Sequence, residues 1–160
     1  MMTEKLKSSA QRVQDCLTQA GYDFRVKQLL ASTRTAEDAA HAIGCEVAQI
    51  AKSLIFKDKN TGDAVLIVAA GHHQVDLKKI KATTPFHLSK ADADFVRDKT
   101  GFAIGGVSPI AHRHPLHILL DEDLKNYASI WAAAGTPNAV FELNAEILAQ
   151  LTQGQWLSIH

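Results

Sequence analysis

Two apolar runs joined by a short polar turn constrain the fold more than any other part of the sequence. Residues 50–56 and 64–70 are rich in branched, aromatic and small apolar residues, and both alternation phases of each run are apolar. This pattern predicts two strands covered on both faces, with 50–56 central in a sheet. The segment between them, with Asn60 and Gly62, is typical of a hairpin turn.

A lysine interrupts the first of these strands. Lys52 lies between Ala51 and Ser53, near the start of the run. Such a lysine can extend its ammonium group to the end of the sheet, lose its proton, or bind an anion. The strand alone leaves a structural and a functional role equally open.

The rest of the chain interleaves helices and strands without regular βαβ units. Gly21 and Gly44 close the first two helices, and Thr35 begins the second as an N-cap. The order predicts an α+β fold, a mixed, largely antiparallel sheet or partial barrel of about six or seven strands surrounded by helices. No linker divides the chain, so one domain over 1–160 is expected. The expected helices cover 8–20, 36–43, 75–81, 90–99 and 145–151, and the further strands 22–30, 117–120, 128–133, 140–143 and 156–159.

Composition narrows the possible partners. Lys plus Arg equals Asp plus Glu at 17 each, so no global field attracts nucleic acid, and DNA is not expected as a partner. A polyanion would need a local patch. The polar N-terminus and the absence of long apolar runs argue against a signal peptide and a membrane partner. Cys16 and Cys45 lack CxxC spacing and suit a reducing compartment, so a cytoplasmic location is expected. The lysines available for such a patch are Lys57, Lys59, Lys78, Lys79 and Lys81, which equally suit solvated faces.

A glycine-rich loop is the second feature that could carry chemistry. It runs from Gly105 and Gly106 through Val107 and Ser108 to Pro109. Two glycines allow close approach to a ligand and can direct backbone N–H groups to one side, towards a carbonyl, carboxylate or phosphate oxygen. The alternative is that these glycine and proline residues only form an ordinary turn. The loop has neither the Walker pattern nor the dinucleotide fingerprint.

The histidines suggest a third, weaker interpretation. His112, His114 and His117 cluster in sequence, and His72 and His73 are adjacent. A metal-dependent hydrolase using His112 and His114 is the least favoured reading, since no cysteine or acid accompanies them at a standard ligand spacing. No metal site and no cofactor are therefore predicted. Neither Ser53 nor Ser108 lies in a nucleophile elbow, so no catalytic triad is visible.

An ordered set of short motifs resembles one known family. From about Gly21 to the C-terminus the chain is similar to the YbaK family, which comprises the editing domain inserted in bacterial prolyl-tRNA synthetases and its free-standing relatives. The motifs are Gln49-Ile50-Ala51-Lys52-Ser53-Leu54, Asp76-Leu77-Lys78-Lys79, Thr100-Gly101, Gly105-Gly106-Val107-Ser108-Pro109, Leu120-Asp121 and Ala133-Ala134-Gly135-Thr136.

The resemblance implies hydrolysis of the ester bond of mischarged aminoacyl-tRNA. The family lysine that contacts the 3′-terminal adenosine falls on Lys52. The family GxxxP loop, which brings backbone N–H groups near the aminoacyl carbonyl, falls on Gly105 to Pro109. A ribose hydroxyl of the tRNA assists water attack, so the protein supplies position and electrostatics. Val107, Ser108 and Pro109 of this loop are predicted to bind the substrate. The same role is implied for Asp121, Gly135, Thr136 and Asn138, which match family positions at or close to the pocket wall.

The sequence departs from the family pattern at two points. Ile110-Ala111 stands where relatives usually have Phe-Gly, and Ser53 stands where threonine is frequent. The resemblance predicts a deacylase acting in trans on the acceptor end of a tRNA carrying alanine, cysteine, serine or threonine. A synthetase could present that tRNA. The alternative is a non-catalytic module that binds a tRNA end or a nucleotide-like anion.

Overall fold

The computed structural model describes residues 6–160, so residues 1–5 of the expected domain lie outside the described residues. The described chain alternates five helices with eight strands, and two 3₁₀ helices, Val47–Gln49 and Glu122–Asn126, lie between them. The elements are α1 (Ser8–Gln19), β1 (Lys27–Gln28), α2 (Ala36–Ile43), β2 (Ile50–Asp58), β3 (Ala64–Ala70), α3 (Leu77–Thr83), β4 (Leu88–Lys90), α4 (Ala93–Thr100), β5 (His117–Asp121), β6 (Ile130–Ala133), β7 (Ala139–Leu143), α5 (Ala145–Thr152) and β8 (Gln155–Leu157).

All described strands belong to one open sheet. Its order is β1-β7-β6-β2-β3-β5-β8, and β4 pairs with the far end of β2. Strand β2 is antiparallel to β3 and β4 but parallel to β6, while β3–β5 and β5–β8 are also parallel. This confirms the α+β class with a mixed sheet, the hairpin, and the central place of β2.

The two central strands differ in burial. Every residue of β3 is buried, as its apolar run predicts. The middle of β2, from residue 53 to residue 56, is only partly buried. The prediction that both faces of 50–56 are covered is therefore wrong for its middle, because cavities open onto the strand there.

Alternation along β3 divides the core between the two faces of the sheet. Leu66 and Val68 pack with α1, α4 and α5 in the larger cluster. Val65 and Ile67 pack with Ile80 of α3 on the other face. Successive side chains of a strand point to opposite faces, so one strand supports both clusters.

The strand expected over 22–30 shrinks to β1 because a side chain replaces part of its ladder. Gln14 of α1 donates to the carbonyl of Phe24 (3.0 Å) and accepts from the N–H of Val26 (2.8 Å). The segment still packs against the core, since Val26 is buried and Phe24 is partly buried.

Side-chain caps set the helix starts. Thr35 accepts from the N–H of Asp38 as predicted, and α2 covers the predicted residues. Asp76 and Asp92 cap α3 and α4, so both helices begin later than predicted. The residues before α4 instead form β4, which was not predicted. Among the described helices, none has the length and apolar character needed to cross a membrane.

Candidate active site

A cavity of about 360 Å³ lies over the open part of β2. Its walls come from four segments that are far apart in sequence: 33–37 at the start of α2, 50–54 of β2, the glycine loop, and 131–133 of β6. A smaller cavity of about 240 Å³ adjoins it. The residues common to both cavities are Ser53, Leu54, Ile104, Gly105 and Val107.

Lys52 is the cation that β2 places in the wall of the larger cavity. Its side chain is half-buried, and its Nζ donates to the carbonyl of Gly71 at 3.3 Å. Burial lowers the pKa of Lys52, while the negative charges of Glu37 and Asp121 act in the opposite direction. An ammonium group has three N–H donors, and one long hydrogen bond leaves capacity for a bound anion.

The glycine loop is shaped by a tight turn. The N–H of Gly106 donates to the carbonyl of Ala103 at 3.0 Å. Gly105 has φ +95°, which L-residues rarely adopt. A Cβ on Gly106 would lie 3.0 Å from backbone carbons of Gly135 and Thr136. The two glycines therefore serve different needs: Gly105 allows the turn, and Gly106 allows close packing.

The N–H of Gly106 is consumed by that turn, but its neighbours are available. Within residues 6–160, the N–H groups of Gly105, Val107 and Ser108 have no hydrogen-bond acceptor. Gly105 and Val107 line both cavities. Val107 is buried and Gly105 is partly buried, and backbone N–H groups in such places usually have an acceptor, so these two donors are available to a ligand in the cavity.

Ser53 adds an unused hydroxyl between the two cavities. Its Oγ is buried and has no partner among the described residues. A buried hydroxyl without a partner costs about 1–3 kcal/mol. The cavities thus contain a cation, backbone donors and a hydroxyl whose bonding capacity the protein itself does not fill.

Most of the other predicted site residues form a layer behind the walls. Thr136 donates to Oδ1 of Asn138 (3.0 Å), and Nδ2 of Asn138 donates to the carbonyl of Leu29 (3.0 Å). Thr33 donates through both its N–H and its hydroxyl to the carbonyl of Pro137. This turn therefore anchors the segment that leads into α2. Gly106, Ser108, Pro109, Gly135, Thr136 and Asn138 are absent from the linings of both cavities.

Asp121 also lies behind the cavity. Its side chain is fully buried, with Oδ2 accepting from the N–H of Ala70 (3.0 Å) and Oδ1 from the N–H of Asp123 (3.0 Å). His73 Nδ1 lies 2.9 Å from Oδ2. The substrate contact predicted for Asp121 is not available in this arrangement. Its charge instead acts on Lys52 through the protein.

Several charged or large residues of the cavity were not predicted. Arg34, Glu37, Ile104 and Trp131 all line the larger cavity. The side chain of Arg34 packs over Gly105, with its Cγ 2.9 Å from where a Cβ would be. Arg34 and Glu37 lie on either side of the N-cap residue Thr35, so the predicted start of α2 was the one sequence signal near them. Nothing local signals Trp131, which reaches the cavity because β6 pairs with β2.

The histidines at 112, 114 and 117 do not converge. His112 Nε2 donates to the carbonyl of Ser108 at 2.6 Å, and burial lowers the pKa of His112. His117 lies beside Asp63 on the surface, with Nε2–Oδ2 at 3.3 Å. The hydrogen bond from His112 therefore holds the end of the glycine loop at Ser108.

Comparison with known proteins assigns the class. Residues 31–151 match the model of the aminoacyl-tRNA editing domain family, and the chain belongs to that family. This confirms the family predicted from the ordered motifs. It also confirms the predicted enzyme class, aminoacyl-tRNA hydrolase.

Individual relatives extend over nearly the whole chain. YwhH of Bacillus subtilis, an uncharacterized protein, is 34% identical over 94% of this chain and 96% of its own. EbsC of Enterococcus faecalis, named a putative Cys-tRNA(Pro)/Cys-tRNA(Cys) deacylase, is 31% identical over 78% of this chain and 76% of its own. A crystal structure described as a putative trans-editing enzyme for prolyl tRNA synthetase is 44% identical, with a TM-score of 0.90, and the match covers 97% and 98% of the two chains.

Proposed function

We propose that this protein deacylates mischarged tRNA in trans, releasing a small amino acid such as alanine, cysteine, serine or threonine. The observation that carries the proposal is the unused bonding capacity around one cavity. Lys52 has a single long hydrogen bond, and the N–H groups of Gly105 and Val107 have no acceptor among the described residues. An aminoacyl ester on a tRNA end offers the matching groups, an anionic phosphate and a carbonyl oxygen.

Lys52 binds the end of the tRNA in this proposal. Its ammonium faces a cavity whose remaining lining near β2 is mostly apolar, so a phosphate there meets a cation with little competing water. Arg34 at the rim adds a second positive charge. Glu37, on the same side, limits the net positive charge and favours substrates that also carry an ammonium group.

The glycine loop stabilises the charge that develops during hydrolysis. Water attacks the carbonyl carbon, the carbonyl oxygen becomes negative, and backbone N–H groups at Gly105 and Val107 donate to it. The ester C–O bond then breaks, and the ribose oxygen leaves with a proton. A neighbouring ribose hydroxyl of the tRNA assists the attacking water, so no side-chain nucleophile is required.

The smaller cavity limits the size of the amino acid. It is lined mainly by residues 53–56 of β2 and by Ile104, Gly105 and Val107, with Val96 from α4, and Ser53 lies at its junction with the larger cavity. Discrimination by such a pocket amounts to about 1–3 kcal/mol per methylene, which separates large from small side chains better than it separates small ones. EbsC is named for cysteinyl-tRNA, which lies within the proposed range.

The protein contacts the tRNA only at its acceptor end. With 17 acidic and 17 basic residues the chain has no broad excess of positive charge for gripping a whole tRNA. Lys79, one of the lysines expected in a basic patch, is bonded to Ser158 and His160. A synthetase that presents the tRNA would make up for the small contact. The structural relative described for prolyl tRNA synthetase supports prolyl-tRNA synthetase as that partner.

The test is release of amino acid from a panel of mischarged tRNAs by the purified full chain. We expect rapid release from at least one tRNA carrying a small amino acid, and release near the background rate from tRNAs carrying their cognate large amino acids. At sub-saturating tRNA the rate should fall only modestly as salt rises, because the salt dependence scales with the number of phosphate contacts and few are made here. Binding of uncharged tRNA or adenine nucleotides with no release from any member of the panel would replace this proposal by that of a binding module.

A further inference from the structure

A second group of polar side chains lies outside the editing cavity. His73 follows β3, Asp123 follows β5, and His160 follows β8. One ligand atom from each of the three lies within 4.8 Å of the others. We propose that His73, Asp123 and His160 bind one divalent transition metal ion, zinc in the first place, with Asp121 orienting His73.

The distances from Asp123 to the two histidines suit a tetrahedral ion. Asp123 Oδ2 lies 3.5 Å from His73 Nε2 and 3.1 Å from His160 Nε2. Ligand atoms at the corners of a tetrahedron with metal bonds of about 2.0–2.1 Å are about 3.3–3.4 Å apart. Imidazole nitrogen and carboxylate oxygen are ligands that zinc accepts, and three protein ligands leave a fourth position for water.

Asp121 prepares His73 for this role. Its buried Oδ2 lies 2.9 Å from Nδ1 of His73, so the Nδ1–H donates to the carboxylate and the lone pair is on Nε2. A carboxylate behind a ligating histidine is a recurrent arrangement in zinc proteins, where it fixes the tautomer and the ring orientation. The N–H groups of Ala70 and Asp123 hold Asp121 itself in place.

His160 is positioned independently of the other ligands. The N–H of Asp76 donates to the carbonyl of Ile159 (2.7 Å), and Nζ of Lys79 donates to the carbonyl of His160 (2.8 Å). The rings of His73 and His160 stack with centroids 3.8 Å apart and planes 29° apart. The two side chains are 11% and 48% exposed, so the His160 ring must turn out of this stack to bind a shared ion, and its exposure leaves room for that.

The test is metal binding by the full chain without a polyhistidine tag. The protein is treated with a chelator, desalted, and titrated with Zn²⁺ by calorimetry and with Co²⁺ by visible absorption, which reports tetrahedral coordination. We expect one ion per chain, weaker binding at acidic pH because the histidines must be neutral, and a higher melting temperature with zinc.

Variants assign the ion to these residues. We expect His160→Ala to weaken binding at least tenfold and Asp121→Asn by about 10–100-fold. The matched control is His117→Ala, which removes a histidine beside another carboxylate, Asp63, and should leave the affinity within twofold. His160 is at the surface, so its variant should fold even if Asp121→Asn does not. Absence of binding by the unmodified chain, or equal affinity in His160→Ala, would overturn the proposal and leave the group a network of hydrogen bonds.

Discussion

Lys52 and Asp121 are ionisable side chains that influence each other, yet their surroundings are opposite. Lys52 is half-buried and makes one hydrogen bond at 3.3 Å. Asp121 is fully buried and accepts from three donors at 2.9–3.0 Å. A structural polar group has its bonding capacity filled by the protein, whereas a group that binds a ligand keeps part of it unused. The residue types alone do not reveal which case applies.

Removing Lys52, whose hydrogen-bonding capacity is only partly used, should have the largest effect on activity. We expect Lys52→Ala to lower kcat/KM for deacylation by about 10²–10³-fold, because removing one partner of a close charge contact costs about 2–5 kcal/mol. Its only bond within the described protein is the long one to Gly71, so thermal stability should change little. Steady-state kinetics with the best tRNA of the panel provides the measurement.

The control for this variant is Lys125→Ala, which removes an exposed lysine far along the chain, after β5. Its kcat/KM should stay within about twofold of the unmodified chain. Equal rates for Lys52→Ala and Lys125→Ala would show that Lys52 does not bind the substrate.

Two glycines with similar backbone conformations allow effects on activity to be distinguished from effects on stability. Gly105 and Gly62 both have positive φ, of +95° and +79°, but only Gly105 lines the cavity. Alanine at either position should reduce the free energy of unfolding by about 1–2 kcal/mol through backbone strain, and at Gly105 the added Cβ must also displace the side chain of Arg34. We expect only Gly105→Ala to lower kcat/KM as well, by about 10–100-fold, because the loop donors shift. Parallel urea unfolding and kinetics on the two variants would contradict this if both, or neither, lost activity.

Asp121, whose hydrogen-bonding capacity is filled, should show the reverse: its replacement should lower stability more than activity. Asp121→Asn places an amide N–H₂ among donors, so at least one buried donor loses its acceptor, at about 1–3 kcal/mol of unfolding free energy. Asp63→Asn, at a surface contact with His117, should cost less than about 0.5 kcal/mol. Urea unfolding measures both. The loss of kcat/KM in Asp121→Asn can be converted to a free energy and compared with its loss of unfolding free energy. If the first is larger, this carboxylate acts in catalysis.

The smallest expected effect concerns the charge on Lys52. Burial lowers its pKa from the ordinary 10.5, so the ammonium is lost, and ligand binding weakens, as pH rises through a value below 10.5. Glu37 opposes this shift, so Glu37→Gln should move the weakening to still lower pH. Titration of a non-hydrolysable aminoacyl-adenosine amide against pH would measure it, and an unchanged or upward shift would count against the pairing. In the same window the unfolded chain binds more protons, so this group makes stability rise with pH.

Local signals predicted much of the fold. The β2–β3 hairpin rests on apolar periodicity and a polar turn, and α2 rests on Thr35 and Gly44, all within a few residues of one another. The strand expected over 22–30 failed because Gln14, on another element, takes its hydrogen bonds. Periodicity gives the inward side of a segment, but the partner of its backbone depends on tertiary structure.

The candidate site was predictable only in part. Motif order pointed to Lys52 and the glycine loop, and both meet at the cavity. Trp131 reaches the cavity through the β2–β6 pairing, which leaves no local pattern. Arg34 lies next to the N-cap at Thr35, but its place at the cavity depends on its packing over Gly105. His73 beside Asp121 and His160 is likewise a product of topology. Residue type indicated possible chemistry, while burial and partners decided its place.

The parallel pairing of β2 with β6 also ties the cavity to the folding of the chain. Ile50 pairs with Trp131 and Ala51 with Ala132, so roughly eighty residues must be closed into a loop before this wall exists. Contacts between such distant residues form slowly, since the entropy of loop closure is spent before the pairing compensates for it. A nascent or partly unfolded chain that lacks this pairing therefore has no complete cavity.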